Sequence, residues 1–485
     1  MGLRNAVGKI EIEVLYGAPG AGKSIALRKE ALGVPGLYLF CLPTIPLIEE
    51  QAKKFRALAS GVLIIEARSG EGGGRGKVQR QLDNARAEIA AAGITHAIVF
   101  MTHESMMACD LSGFADWHIR IDEVPNAVQT GRVTIGTLES RKFFRDSFTL
   151  NPVGDGWAHA KLNNPQGNWK DRAGDPLLNR LGEFFKLAAR PQGAFVNIQS
   201  WTGVKEFQWV SLWSPALLEN ASSLKIAAAA YLDSLGYKAA KEWWGDEIVE
   251  TTTEIGEPRT GWPDIRVHYF TEGHEGTSRF WDTSQGRKMI KAVCDYLVEN
   301  APDLGFWSGN EEVRKLMEWR VGGVLTKPKV AGSNEYRKLK SCAFIYSSKA
   351  LPGDAALSGP LFGMSEDDIL AAREDEDIHQ FVMRGVIRNE TYGGDYDCYV
   401  YSKRQAEALA AKLDRISRSI EVIAVVDAGI LTETFEKKKS APTATKSAKP
   451  IVRVPGAKGR GDRSPKSAAR HRQRQAAKDR ARQTP

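Results

Sequence analysis

The fold is constrained most by one glycine-rich segment near the start of the chain, Gly17-Ala18-Pro19-Gly20-Ala21-Gly22-Lys23-Ser24. Its G-x-x-x-x-G-K-S spacing is that of a phosphate-binding loop, whose glycines let successive backbone N–H groups point at phosphate oxygens. In such a loop Lys23 reaches the β- and γ-phosphates, and the Ser24 hydroxyl binds Mg²⁺. A strand pattern precedes the segment and a helix pattern follows it, which would place the helix N-terminus at the anion. The segment therefore predicts a nucleoside triphosphate site, with ATP and Mg²⁺ as ligands.

Short apolar strands alternate with helices in two series along the chain. The first series has strands at 8–16, 36–42, 61–66, 95–101 and 117–121, with helices at 24–32, 46–58 and 76–92. The second has strands near 279–282, 303–307, 321–325, 342–347 and 396–401, with helices near 285–299, 310–317, 365–373, 375–388 and 403–413. Such alternation favours parallel sheets covered by helices on both faces. The sequence therefore predicts two tandem α/β domains.

Two segments interrupt this pattern. Residues 126–208 contain Gly, Pro, Asn and Trp without a clear period, which predicts an insertion in the first domain, and residues 209–213 (WVSLW) read as a strand that resumes that domain. Beyond about residue 435 the chain is rich in Lys, Arg, Ala, Ser and Pro, a composition typical of a disordered segment. The predicted domains are residues 1–235 and 236–435, followed by a disordered basic tail at 436–485.

The positive charge of the chain is concentrated in that tail. Residues 437–485 contain 16 Lys and Arg against two acids, so the +8 of the whole chain becomes −6 without them. A basic flexible segment gains affinity for nucleic acid by releasing phosphate counterions, without preference for sequence. The tail therefore favours nucleic acid as a partner, although a solubilising terminus has the same composition.

The cysteines and the hydropathy pattern limit the other possibilities. The five cysteines lie far apart and form no CxxC pair, which disfavours a disulfide framework and a zinc site. The sequence has no apolar run long enough to span a membrane, and its N-terminal residues lack the apolar core of a signal peptide. These features predict a cytoplasmic protein.

Two carboxylates, Asp122 and Glu123, follow the apolar strand pattern of residues 117–121. At a strand end beside a phosphate-binding loop, such a pair suits a Walker B site. Asp122 would hold Mg²⁺ together with Ser24, and Glu123 would orient and deprotonate the attacking water.

A pair of arginines, Arg384 and Arg388, lies in the second series of elements. If residues 375–388 are one helix, the spacing of four places both guanidinium groups on one face. Such a face in a second domain suits stabilisation of the γ-phosphate during transfer. A solvated basic helix edge would have the same pattern.

In their order and spacing these segments resemble the motifs of superfamily 2 helicases of the DExD/H-box type, in the form found in phage and mobile-element proteins. The resemblance covers roughly residues 10–415 and implies two RecA-like P-loop NTPase domains that close on ATP. In that family, segments similar to Pro43, Thr44 and Gln51, and to Thr102 and His103, contact the nucleic-acid backbone. The resemblance implies the same role for these residues and for Arg337.

Other parts of the resemblance concern the nucleotide. Asp122-Glu123-Val124-Pro125 is similar to the DExx box, and Ser214-Pro215-Ala216 stands where a motif that couples the two sites is expected. Gly332-Ser333-Asn334-Glu335-Tyr336-Arg337 is similar to motif V, which implies that Gly332 and Asn334 face the nucleotide. Gln380, Arg384 and Arg388 resemble motif VI, in which arginines contact ATP.

The leading hypothesis is therefore an ATP-dependent helicase or translocase that acts on nucleic acid, with DNA favoured over RNA. One alternative is a packaging ATPase similar to terminase large subunits, which would need a nuclease centre among the acids of residues 366–377. A second alternative is a basic protein that coats or anneals nucleic acid and keeps a vestigial nucleotide site. The sequence leaves open the polarity of movement, unwinding, the oligomeric state and the pathway.

Overall fold

The computed structural model of the chain describes residues 9–68, 77–134, 145–164, 182–203, 206–328, 335–349, 354, 359 and 361–434. These residues form three β-sheets with helices packed against them. The predicted disordered tail, residues 436–485, lies outside the described residues, as do Gly332 and Asn334.

A seven-stranded sheet carries the N-terminal part of the chain. In sheet order its strands are β12 (Ile248–Glu254), β1 (Ile10–Tyr16), β11 (Ser223–Ala227), β5 (His118–Asp122), β2 (Leu37–Leu42), β4 (Ala97–Thr102) and β3 (Leu63–Glu66). Every neighbouring pair is parallel. Because parallel strands end at the same edge, the loop after β1 and the carboxylates after β5 meet there, with only β11 between them.

Helices cover both faces of this first sheet. They are α1 (Lys23–Gly33), α2 (Ile45–Leu58), α3 (Lys77–Ala91) and α4 (His103–Met106). Leu27 of α1 and Phe55 of α2 are buried in the core on one face, while Leu82 of α3 and Met106 of α4 are buried in the core on the other. The start of α2 is fixed by Thr44, whose hydroxyl accepts a hydrogen bond from Leu47 N at 3.4 Å.

The insertion between β5 and β11 is a five-stranded antiparallel sheet. In sheet order its strands are β6 (Val128–Thr134), β10 (Glu206–Leu212), β9 (Ala194–Asn197), β8 (Trp157–Leu162) and β7 (Phe148–Gly154), with α5 (Gly182–Ala188) and α6 (Ile198–Thr202) beside them. The prediction that residues 209–213 resume the first domain is wrong, because β10 pairs with β6 and β9 instead. Trp157, Trp201 and Trp209 are buried, so the tryptophans of this stretch belong to its core.

The first sheet includes more of the chain than predicted. Helix α7 (Leu235–Trp244) leads to β12, which pairs with β1 from Ile10 opposite Ile248 to Tyr16 opposite Glu254. The predicted boundary between residues 235 and 236 is therefore too early, and the first domain continues to Glu254. The last four residues of β12 are polar and exposed at the sheet edge, so the sequence has no apolar strand pattern there.

The second domain contains a six-stranded parallel sheet. In sheet order its strands are β15 (Val324–Leu325), β14 (Phe306–Gly309), β16 (Ser341–Ile345), β17 (Asp395–Ser402), β13 (Asp264–Thr271) and β18 (Ser419–Ala424). Its helices are α8 (Ser278–Trp281), α9 (Ser284–Asn300), α10 (Glu311–Met317), α11 (Glu366–Leu370), α12 (Glu376–Val382) and α13 (Lys403–Leu413). The predicted α/β fold with two tandem RecA-like domains is confirmed. No helix in the described part of the chain is both long and apolar enough to cross a bilayer.

One predicted strand of this domain is a helix. Residues 279–282 fall largely in α8, where the Thr277 hydroxyl accepts a hydrogen bond from Phe280 N at 3.0 Å and so caps the helix. The strands of this sheet that the pattern missed are β13 and its edge neighbour β18.

The second domain packs against the insertion and α7 through a mixed contact, which we call the brace. Its apolar part packs Trp243 between Phe195, which it meets edge to face, and Phe362, with ring centroids 4.7 Å and 5.2 Å away. Its polar part is the buried carboxylate of Asp354, which accepts hydrogen bonds from the Thr130 hydroxyl at 2.5 Å and from Arg373 at 2.9 Å. The brace therefore joins the two domains beside the cleft that separates their sheets.

Candidate nucleotide and nucleic-acid site

The predicted phosphate-binding loop connects β1 to α1 in a strained backbone. Gly17 has φ +147° and Gly20 has φ +95°, conformations that side-chain-bearing residues rarely adopt. A Cβ at Gly17 would lie 2.2 Å from the carbonyl oxygen of Ile255, just after β12. The glycines are therefore required by both the loop conformation and the neighbouring chain.

Lys23 begins α1 and turns its side chain back into the loop. Its Nζ donates hydrogen bonds to the carbonyl oxygens of Gly17 at 2.7 Å and Ala18 at 2.9 Å. Burial lowers the pKa of Lys23 to about 8, although the nearby charges of Asp122 and Glu123 oppose that shift. The ammonium group is thus held where an anion bound to the loop would meet it.

Ser24 and Asp122 form the candidate Mg²⁺ site. The Ser24 hydroxyl donates to Asp122 Oδ1 at 2.9 Å, and the carboxylate is only 5% exposed. Burial raises the pKa of Asp122 to about 6, while the Ser24 hydrogen bond and Lys23 oppose the shift. Hydroxyl and carboxylate oxygens are the ligands that Mg²⁺ prefers, and a buried carboxylate lacking a full countercharge fits a cation.

Glu123 follows β5 in the left-handed conformation, with φ +70°. Its backbone N–H donates to the carbonyl oxygen of Ala227 at 3.0 Å, which fixes the turn against β11. Glu123 is in contact with the solvent of the cleft, but desolvation by the protein around it and the charge of Asp122 raise its pKa to about 7, against the opposing charges of Arg384, Lys23 and Arg388. A carboxyl group with this pKa can accept a proton from water near neutral pH.

Arg384 and Arg388 do not share the helix face that was predicted. Helix α12 ends at Val382, and a separate turn begins at Gly385, where a Cβ would lie 2.2 Å from the hydroxyl oxygen of Tyr396. The helix thus ends before Arg384, so the spacing of four residues does not place the two arginines on one helix face. Both arginines nevertheless line the same cleft, Arg384 from the segment after the helix and Arg388 from the following turn.

Arg388 packs directly on the phosphate-binding loop of the other domain. A Cβ at Gly20 would lie 2.0 Å from Arg388 Nε. Arg384 is 8% exposed, lies over the ring of Phe381 and donates to the carbonyl oxygen of Lys327 at 3.4 Å. Burial lowers the pKa of Arg384 to about 10, with Glu123 as the main opposing charge.

A cleft of about 1220 Å³ brings most of the predicted residues together. The side chains that line it and were predicted for the nucleotide are Lys23, Ser24, Asp122, Glu123, Gln380, Arg384 and Arg388. Gln380 donates to Glu376 Oε1 at 2.8 Å on the second-domain wall. Arg337 also lines the cleft, and its charge contributes to lowering the pKa of Arg388, after burial. The chemical roles of these residues stay predictions.

Of the residues predicted to contact nucleic acid, Pro43 and Thr44 follow β2, Gln51 lies in α2, and Thr102 and His103 lie at the end of β4. Pro43, Thr44, Gln51 and His103 line the cleft, whereas the Thr102 hydroxyl accepts from Ser105 N at 3.2 Å as a helix cap. Gln51 is largely buried and accepts from Arg28 at 3.0 Å.

His103 sits deeper than a backbone-contacting residue was expected to. Burial lowers its pKa to about 4, so its ring is neutral at physiological pH. Any contact it makes with a phosphate would therefore be a hydrogen bond rather than an ion pair.

Gly332 and Asn334 lie outside the described residues, so their assignment to the nucleotide stays a prediction. Ser214 is buried and caps a turn by accepting from Ala216 N at 3.1 Å, away from the cleft lining. The lining at the end of β11 is instead Ala227 to Ala229, which the motif comparison missed.

Sequence reasoning also missed the contribution of the insertion. Gln129, Thr130, Glu183, Lys186 and Arg190 line the same cleft. They lie in a stretch without periodicity, and nothing in their spacing distinguishes them from surface residues.

No protein-family model matches the sequence, and no curated protein matches it. Among solved structures the chain is similar to an XPD helicase, with 11% identity, a TM-score of 0.48, and coverage of 86% of this chain and 96% of that one. It is also similar to a DEAD box protein from the hyperthermophile Methanococcus jannaschii, with 8% identity, a TM-score of 0.29, and coverage of 85% and 88%. A third match is RecG bound to a three-way DNA junction, with 10% identity, a TM-score of 0.33, and coverage of 84% and 42%. At such identities the likeness concerns the course of the chain, and we base the function on the side chains of the site.

Proposed function

We propose that this protein is an ATP-dependent helicase or translocase that hydrolyses ATP in the cleft between its two RecA-like domains. The observation that carries the proposal is the contact of Arg388, from the second domain, with Gly20 in the phosphate-binding loop of the first. This contact faces Lys23 and the Asp122-Glu123 pair, so charged groups of both domains surround one position.

Each group has a role that its surroundings support. Lys23 would exchange the carbonyl oxygens of the loop for phosphate oxygens, and Ser24 and Asp122 would hold Mg²⁺, which neutralises phosphate charge when bound. Glu123, with its raised pKa, would accept the proton of the attacking water. Arg384 and Arg388 would stabilise the charge that develops on the transferred phosphoryl group.

A site divided between two domains couples hydrolysis to movement. The arginines are drawn to the phosphates while ATP is intact, and that attraction changes when the phosphate leaves, so the domains can open and close with each cycle. Nucleic acid is the proposed track because Pro43, Thr44 and His103 line the same cleft and because the tail is strongly basic.

The packaging alternative would need free carboxylates that could hold metal ions for nucleic-acid cleavage. Five acids of residues 366–377 instead accept hydrogen bonds from cations or donors: Asp368 from Lys238, Glu374 and Asp375 from Arg404, Glu376 from Lys412, and Asp377 from Tyr346. These contacts favour the helicase proposal.

An ATPase assay with single-stranded DNA, duplex DNA and RNA tests the proposal. We expect Mg²⁺-dependent hydrolysis that rises severalfold with at least one of these polymers, and none in the Asp122→Asn variant. Hydrolysis that is indifferent to all three polymers would contradict a translocase, and strand displacement on a partial duplex would separate a helicase from a translocase. Cleavage of plasmid DNA would favour the packaging alternative.

A further inference from the structure

The insertion places two cationic side chains, Lys186 and Arg190, in the cleft, and neither has a role in the proposed nucleotide site. Lys186, on α5, forms an ion pair with Glu104, and Arg190 NH2 lies 3.4 Å from the same carboxylate. Glu104 belongs to α4, directly after β4 of the first domain. The insertion and the first domain therefore meet across this ion-pair cluster.

The backbone of α5 fixes the direction of these cations. Phe184, Phe185 and Leu187 of α5 are buried in the core of the insertion, which leaves Lys186 on the opposite side. Arg190 follows in a turn held by its N–H, which donates to the carbonyl oxygen of Leu187 at 3.0 Å. Its side chain is only 5% exposed, so the guanidinium is held in place rather than free in solvent.

The carboxylate that these cations share is a weak partner. The side chain of Glu104 is 64% exposed and that of Lys186 is 44% exposed, and an ion pair between two such exposed side chains contributes little to stability. The hydrogen bond from Lys186 lowers the pKa of Glu104, so the carboxylate is charged at neutral pH. A phosphate that offers more acceptor oxygens can replace it with little loss of stability.

The position of the cluster indicates which phosphate would bind. Thr44 and Thr102 stand at the carboxyl ends of β2 and β4, which are neighbours in the first sheet, and Glu104 lies two residues beyond Thr102. Threonine side chains and backbone N–H groups are among the groups that contact sugar–phosphate backbones, and Thr44 lines the cleft. Further along the wall, Lys54 pairs with Glu50, and Arg28 donates to Gln51.

We propose that Lys186 and Arg190 of the insertion bind the phosphate backbone of a single nucleic-acid strand that crosses the ends of β2 and β4, and that Glu104 occupies their position until the strand arrives. The proposal rests on the function proposed above and adds residues of the insertion to the nucleic-acid site.

The alternative is that the cluster only fastens the insertion to the first domain. Equilibrium binding of a fluorescein-labelled oligothymidylate to the full chain, between about 50 and 200 mM salt, distinguishes the two. The variants are Lys186→Gln and Glu104→Gln. The matched control is Lys161→Gln, which removes the same charge from an exposed position on β8 of the same insertion, away from the cleft.

We expect Lys186→Gln to weaken binding about three- to tenfold at low salt and to reduce the slope of log affinity against log salt by about 0.7, which is the loss of one phosphate contact to a single strand. Glu104→Gln should strengthen binding about two- to fivefold, because it removes the competing carboxylate. Lys161→Gln should bind as the wild-type protein does.

Each outcome has one interpretation. If Glu104→Gln and Lys186→Gln both lower the melting temperature while Lys186→Gln keeps the wild-type salt slope, the cluster is only a fastening and the proposal is wrong. If a blunt duplex competes as well as the single strand, the single-strand part is wrong. If the wild-type protein binds no oligonucleotide, the proposed function fails first, and the two failures are thereby distinguished.

Discussion

The two RecA-like domains have similar parallel sheets but supply opposite halves of the candidate site. The first domain follows its first strand, β1, with a glycine-rich loop, and it places the buried carboxylate of Asp122 at the end of β5 and the solvent-exposed Glu123 directly after it. The second domain supplies Arg384 and Arg388 from the end of a helix. The predicted phosphate-binding loop and the candidate metal ligands thus lie on one side of the cleft, and the arginines lie on the other.

The electrostatics show that the charged groups of the two domains depend on each other. Desolvation raises the pKa of Asp122 and Glu123 and lowers the pKa of Arg384 and Arg388, so each side carries groups that are costly to keep charged alone. Glu123 and the two arginines shift each other's pKa in the opposite direction. The difference between the domains is therefore complementary, and contact between them stabilises the charged forms of both.

The largest expected effect follows from removing the cation of the first domain. Lys23→Ala should abolish ATP hydrolysis stimulated by nucleic acid, because the loop would lose the ammonium that reaches the phosphates. A phosphate-release assay measures this, and deletion of residues 436–485 is the comparison, since that variant should chiefly lose affinity and salt dependence of binding. Stimulated hydrolysis at the wild-type rate in Lys23→Ala would exclude this loop as the nucleotide site.

Glu123→Gln should lower the rate of hydrolysis by about 10²- to 10⁴-fold, the range expected for loss of a general base. ATP binding should persist, because Lys23 and Ser24 remain. Filter binding of ATP beside single-turnover hydrolysis measures the two effects. Equal loss of binding and hydrolysis would show that Glu123 supports the loop rather than the chemistry.

The dependence of kcat/KM on pH should be bell-shaped, with changes of about tenfold per pH unit on its outer limbs. Glu123, with a pKa of about 7, must lose its proton, so the rate rises as pH increases through about 7. Lys23, with a pKa of about 8, must keep its proton, so the rate falls as pH increases through about 8. A steady-state profile from pH 5.5 to 9.5 measures both limbs, and a flat profile would contradict the assignment of both groups.

The smallest expected effect concerns the brace, where the domains touch without catalytic groups. Thr130→Val removes the hydroxyl that donates to the buried carboxylate of Asp354 and should lower the free energy of unfolding by about 1.5 kcal/mol. Thr149→Val, which removes an exposed hydroxyl bonded to Asn163 on the same sheet, should have a smaller effect. Urea unfolding compares them, and equal effects would show that the Asp354 contact does not stabilise the brace.

The sequence predicts the parts of the site that depend on local spacing. The loop at residues 17–24 and the carboxylates at the end of β5 are constrained by their neighbours in the chain, and both lie where the strand–loop–helix pattern places them. What the sequence could not show depends on distant contacts. Strand β12 is polar at its exposed edge, and its pairing with β1 becomes visible only in the folded chain.

The arginines illustrate the same limit. Their spacing suggests one helix face, but the helix ends at Val382, and the two guanidinium groups line one cleft from separate segments. The insertion shows this limit of the sequence more strongly. Lys186 and Arg190 are positioned by packing against an antiparallel sheet that no periodicity in the sequence reveals.

The most direct test of a site shared by the two domains is single-turnover ATP hydrolysis by Arg388→Ala in the presence of single-stranded DNA. The control is Arg415→Ala, an exposed arginine of the second domain in the turn Asp414–Ile416, outside the cleft. The account predicts that Arg388→Ala hydrolyses ATP at least about a hundredfold more slowly while binding it within a few-fold of the wild-type protein, and that Arg415→Ala is unchanged. Hydrolysis by Arg388→Ala at the rate of Arg415→Ala would contradict this proposal, since the contact between Arg388 and the phosphate-binding loop would then contribute nothing to the reaction.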